Sequence, residues 1–136
     1  MISTTVEQSK KLVELGIDQD TADMLYFKTA SGYHITPHYT KELVDGFEAK
    51  CIEPLPSWSL SALLELIPSE ISTSSKWNDK YQIDIRKYDD TSYQIAYGNN
   101  RGSSGSWHDM INTKECDNPI DAVFEMVVWL KEHKYI

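Results

Sequence analysis

Residues 117–134, DNPIDAVFEMVVWLKEHK, decide what kind of fold this chain can adopt. Asp117 or Asn118 can cap a helix. Pro119 suits the first helical position, where its missing N–H costs nothing, and Asp121 sits where the positive end of the helix dipole favours an acid. Lys131, His133 and Lys134 suit the opposite end. Between the ends, Ile120, Val123, Phe124, Val127 and Leu130 form one apolar face, which Ala122, Met126 and Trp129 widen past an ordinary amphipathic stripe. A helix apolar over so much of its girth needs cover on several sides. A sheet and a second helix, LSALLELI (60–67), are the expected cover.

Working upstream, the apolar period changes to two. Tyr81, Ile83 and Ile85 alternate with Gln82, Asp84 and Arg86, and after the turn DDT (89–91), Tyr93, Ile95 and Tyr97 alternate with Gln94 and Ala96. This predicts an antiparallel hairpin with one buried face. NNRGSSGS (99–106) reads as a loop and SWHDMI (106–111) as a third strand, so a meander is the simplest topology. Ser57 or Ser59 caps LSALLELI, and Pro68 stops it. Residues 37–56 stay open: Pro37, Pro54 and Pro56 fence off KELVDGFEAK (41–50), which fits a helix broken at Gly46 or a pair of strands. Before them, LYFKT (25–29) and YHI (33–35) flank a Gly-containing loop, ASG, as a hairpin. DQDTADM (18–24) is a short turn capped by Asp18, with Ala22 and Met24 inward. TVEQSKKLVELG (5–16) is a short amphipathic helix, capped by Thr4 or Thr5 with Glu7 or Gln8 reaching back, and ended by Gly16. The class is therefore α+β: a small antiparallel sheet of about three to five strands in a meander, with helices packed mainly on one face.

A chain of 136 residues has room for one domain, residues 1–136, which would bury roughly two-thirds of its unfolded surface. Apolar residues at 40% and aromatics at 11% are enough to order it. The net charge of -8 disfavours binding to a phosphate backbone, so nucleic acid is not an expected partner. Ten acids against 5 bases before Pro68, and 11 against 8 after it, leave neither an acidic tail nor a basic arm. Cys51 and Cys116 lie far apart with no CxxC spacing, and MISTTVEQSKK lacks the apolar core of a secretory leader. AVFEMVVWL (122–130) is interrupted by Glu125 and falls short of the roughly 20 residues of a membrane span. The expectation is a soluble, cytoplasmic protein with reduced thiols and no membrane partner.

Chemistry-bearing groups are scattered. His34 and His38 have the i, i+4 spacing of metal ligands on a helix, but Pro37 and the β-prone surroundings favour a strand, where four residues span roughly 13 Å. Two imidazoles so placed cannot share a zinc with bonds of about 2 Å. Trp107, His108 and Asp109 set a base beside a carboxylate, yet strand neighbours point to opposite faces. Cys116, just before the last helix, lies where a helix dipole can lower a thiol pKa, but no histidine partner is identifiable. GNNRGSSGS (98–106) lacks phosphate-loop spacing. Asp89 and Asp90 sit in a turn that favours Asp for local bonding. No cofactor, metal site or catalytic residue is therefore expected.

The remaining signal is aromatic: eight Tyr and four Trp, with Trp58, Trp77 and Trp107 at element edges, where a ring seals a core or anchors a partner. The hairpin face with Gln82, Arg86, Tyr88 and Gln94 is the more exposed, and an uncovered sheet edge can accept a partner strand. The expected partner surface is Trp77, Arg86, Tyr88, Gln94, Trp107 and His108.

As a set, WSLSALLELIP (58–68), the tyrosine-rich hairpin and NPIDAVFEMVVWLKEHKYI (118–136) resemble a family of small hypothetical proteins carried by bacteria and their phages; EQSKKLVELGIDQDTADM (7–24) looks like the opening segment of the same group. The resemblance implies a phage or mobile-element accessory context and carries no catalytic residue across. Together these readings point to a non-enzymatic protein that binds another protein. The alternatives are a small enzyme or small-molecule binder using His34, His108 or Cys116, and an acidic nucleic-acid mimic.

Overall fold

In the computed structural model, residues 2–73, 79–101 and 105–136 are described. The chain divides into two compact units, residues 1–64 and 65–136.

The first unit opens with helix α1, Val6–Glu14. Thr5 caps it in a full capping box: its hydroxyl accepts from the Gln8 N–H at 3.1 Å, and the Thr5 N–H donates to Gln8 Oε1 at 2.9 Å. Gly16, at φ +81°, ends it, because a left-handed residue after a helix costs glycine little. A 3-10 turn, Gln19–Thr21, follows with Asp18 as cap. Strands β1, Met24–Thr29, and β2, Gly32–Thr36, form a regular hairpin. Its loop is only Ala30–Ser31, shorter than expected, because Gly32 at φ +110° already belongs to β2. The undecided stretch becomes helix α2, Lys41–Ala49, capped by Thr40, and then strand β3, Pro54–Ser57. The Phe27 and Phe47 rings, stacked 4.8 Å apart, hold α2 against the sheet despite Gly46 in the middle of the helix. Sheet order is β2-β1-β3.

Leu12, Leu25 and Trp58 are fully buried in this unit, and Trp58 Nε1 donates to Thr21 Oγ1 at 2.9 Å. A buried hydroxyl cluster ties the N-terminal segment to β3. Thr4 Oγ1 lies 2.8 Å from Ser9 Oγ and 3.3 Å from Ser57 Oγ, and accepts from the Trp58 N–H at 3.1 Å. Ser59 caps helix α3, Leu60–Leu66, and is itself held by Asp23, whose Oδ1 accepts from the Ser59 N–H at 2.8 Å.

The second unit holds a sheet of order β4-β5-β6-β7: Glu70–Ser72, Lys80–Tyr88, Ser92–Asn99 and His108–Asn112. Helix α4, Pro119–Glu132, has Asn118 as its cap and packs along β6. Ile120, Ala122, Val123, Met126, Val127 and Leu130 are buried on it. Met126 and Trp129 share a small cleft with Ile111 of β7, which pairs with Tyr97, so α4 covers the sheet face of Ile95 and Tyr97. Tyr97 is fully buried; its hydroxyl donates to the Pro68 carbonyl at 2.5 Å, and burial holds the phenol well above its ordinary pKa.

The α+β class is borne out, and the second sheet is the expected meander. The strands nevertheless divide between two sheets where one was expected. Prolines are the reason on the β3 side: Pro54 and Pro56 have no N–H to offer a further strand, so the first sheet ends there. Among the described residues, no helix is long and apolar enough to cross a membrane.

Candidate functional site

The face of the four-stranded sheet opposite α4 carries the polar residues of the hairpin. Register sets Arg86 opposite Gln94, Asp84 opposite Ala96, and Gly98 opposite both Gln82 and Asp109. Arg86 on β5 reaches diagonally over β6 to Asp109 on β7 and grips it with two bonds, Nη1 to Oδ2 at 2.8 Å and Nη2 to Oδ1 at 2.5 Å. Its Nε donates to Asp84 Oδ2 at 2.6 Å, and Nη1 also reaches Gln94 Oε1 at 3.3 Å. Gln94 is fixed in turn by its Nε2 bond to the Thr113 carbonyl at 2.7 Å, and accepts from the Tyr88 hydroxyl at 3.3 Å. Trp107 Nε1 donates to Asp109 Oδ1 at 2.7 Å, and Asn112 Nδ2 to Asp109 Oδ2 at 3.3 Å.

Two small residues of the central strand make this array possible. The diagonal from Arg86 to Asp109 passes over Ala96, which is fully buried although it faces away from α4. The Trp107 ring lies against Gly98, where an added Cβ would meet its Cε2 and Cζ2 at 2.8 Å and the His108 carbonyl oxygen at 2.5 Å. Both faces of β6 are therefore covered, correcting the expectation of one buried face. Conversely Ile85, expected on the buried face, is 55% exposed.

The electrostatics follow the bonds. Charge-assisted hydrogen bonds from Arg86, then those from Trp107 and Asn112, hold the Asp109 carboxyl far below the usual carboxylate range against the opposing cost of burial. The Asp109 contact likewise raises the guanidinium pKa. One guanidinium serves two carboxylates, so the array carries one surplus negative charge. Tyr88 and Trp107 are 41% and 36% exposed.

Of the residues singled out in the sequence, Arg86, Tyr88, Gln94 and Trp107 are joined in this single network. His108 is exposed and has no hydrogen bond to Asp109, since the two neighbours point to opposite faces. Trp77 lies outside the described residues, as does part of the Gly/Ser-rich loop. Trp58 is a core residue. His34 sits in the β1–β2 hairpin, its Nε2 within 2.9 Å of the Thr29 and Ser31 hydroxyls. No group of three or more His, Cys, Asp or Glu able to hold a metal occurs among the described residues. Cys116 is buried beside Tyr93, and burial raises its thiol pKa, the reverse of an activated nucleophile.

Sequence reasoning missed Asp109 as the hub, having weighed it only against its neighbour His108. Its signal was the i, i+2 spacing of Trp107 and Asp109, which places both on one strand face. Comparison of the chain with family models, curated proteins and solved structures returned no match.

Proposed function

We propose that this chain is a non-enzymatic, cytoplasmic binding protein that docks another protein on the polar face of its four-stranded sheet, in the phage or mobile-element accessory setting that the family resemblance implies. The supporting observation is the Arg86–Asp109 network, which fixes side chains of the types most often dominant at interfaces, Arg, Tyr and Trp, while leaving both aromatic rings accessible. Side chains held before contact lose little entropy on docking. The surplus carboxylate, within a chain of net charge -8, favours a partner with a basic surface and speeds their encounter.

Photo-crosslinking in the native host tests this, with a benzophenone amino acid placed at Tyr88 or at Trp107. The expected product is one and the same protein from both positions, and its affinity falls by more than about 2 kcal/mol on Tyr88→Ala or Trp107→Ala with the fold intact. Capture unchanged by both substitutions sinks the proposal.

A further inference from the structure

Each sheet has two edges, and three of the four edges are blunted. On β3, Pro54 and Pro56 remove N–H donors; β4 is only three residues long, Glu70–Ser72; and β7 departs from register with β6 at Tyr97/Gly98. These are ordinary ways of preventing strand addition. Strand β2, Gly32–Thr36, has none of them. It contains no proline and no Asp, Glu, Lys or Arg, pairs with β1 in unbroken register, and forms no backbone bond on its outer side among the described residues. Its side chains Tyr33 and His34 are exposed.

Two cations meet at the Tyr33 ring. Lys10 of α1 and Lys28 of β1 both place their ammonium groups over the Tyr33 ring, 5.6 and 5.4 Å from its centroid. Both lysines are exposed, and neither pairs with a carboxylate among the described residues. Lys10 and Tyr33 line a groove of about 340 Å³ together with Val13, Glu14, Glu53 and Leu55. Glu53 precedes β3, on the far side of β1, so a strand added at β2 lies about three strand spacings, or about 14 Å, from it. Glu14 lies a helical turn past Lys10, on a helix whose contacts run along β3.

We infer that the β2 edge takes up an extended, acidic segment of a partner protein by strand addition, with its main chain bonded to Gly32–Thr36 and an acidic side chain beside Tyr33, Lys10 and Lys28. Backbone bonds supply affinity in this mode, and alternate side chains supply selectivity. This surface differs in position and in charge from the polar face of the other sheet.

The test is an NMR titration of the whole chain with the peptide Thr-Glu-Val-Glu-Val-Glu-Val-Thr and its Lys-for-Glu counterpart. The acidic peptide is expected to shift the amides of Gly32–Thr36 and slow their hydrogen exchange. Methylating alternate peptide nitrogens should abolish this, and Lys10→Glu with Lys28→Glu, both at exposed positions, should weaken it by about tenfold or more, or 1.4 kcal/mol, with the amide spectrum of the free chain otherwise unchanged. Three outcomes overturn the inference: no response at Gly32–Thr36, equal binding of the Lys peptide or the methylated peptide, or self-association through β2 in sedimentation, which would assign the edge to a second copy.

Discussion

Arg86 answers to two carboxylates on different strands, and that arrangement sets how the second unit responds to acid. Asp109 is the partner whose pKa is lowered, so its contribution to stability is complete above the ordinary carboxylate value of 3.8 and is withdrawn as pH falls from there toward its lowered value. Asp109→Asn should therefore cost about 1–3 kcal/mol near neutral pH. The difference from the parent chain should shrink steadily below about pH 4, because the unfolded chain takes up a proton on this carboxyl there while the native one, held by Arg86, resists it. Urea unfolding at several pH values checks this, and a constant difference at every pH would show that the substitution acts through packing instead. Arg86, Tyr88 and Gln94 were legible in the sequence because period-two alternation assigns a face residue by residue. Asp109 was not, because its ion pair spans two strand spacings and a diagonal, and no local pattern encodes a partner 23 residues away.

At the scale of elements, legibility follows how local the determining interactions are. Helices α1 and α4 each begin at one of the two caps expected for it, since Thr5 with Gln8 and Asn118 with Asp121 bond within one turn. Helix α2 was undecidable because Gly46 weakens its intrinsic preference and the stack of Phe47 on Phe27 of another element stabilises it. Strand β4 is too short to show alternation; its pairing with β5 defines it. The junction of β6 and β7 is the same kind of non-local feature, since Gly98 is required by the indole and carbonyl that cross it. Gly98→Ala should destabilise the second unit by about 1–3 kcal/mol through overpacking. It should also displace Trp107, so the indole proton, now bonded to Asp109, should move in the NMR spectrum while α4 amides stay in place. An unmoved indole signal would mean that β7 yields rather than the ring.

For the whole molecule, composition and α4 define the class, but the number of sheets depends on proline placement on one edge strand, which period and propensity do not weigh. Pro54 and Pro56 read equally well as loop punctuation until β3 is seen to pair with β1. What the girth of α4 does indicate is dependence: Val127 is fully buried on a helix that also buries Ile120, Val123, Met126 and Leu130. An aspartate there must either carry its charge into an apolar interior or bind a proton at neutral pH, and either route costs free energy. Val127→Asp should thus lose more than about 4 kcal/mol, against the roughly 5–15 kcal/mol that keeps a domain folded. Thermal melting with amide dispersion of β5–β7 reads the result, and the expected spectrum has those amides collapsed toward random-coil positions. Val127→Ala separates charge from shape, because it leaves a cavity without a charge and should keep the dispersion at a lower melting temperature. Equal melting of both variants would place the stability of this unit in cavity formation, and an unchanged melting temperature in Val127→Asp would place α4 outside the core.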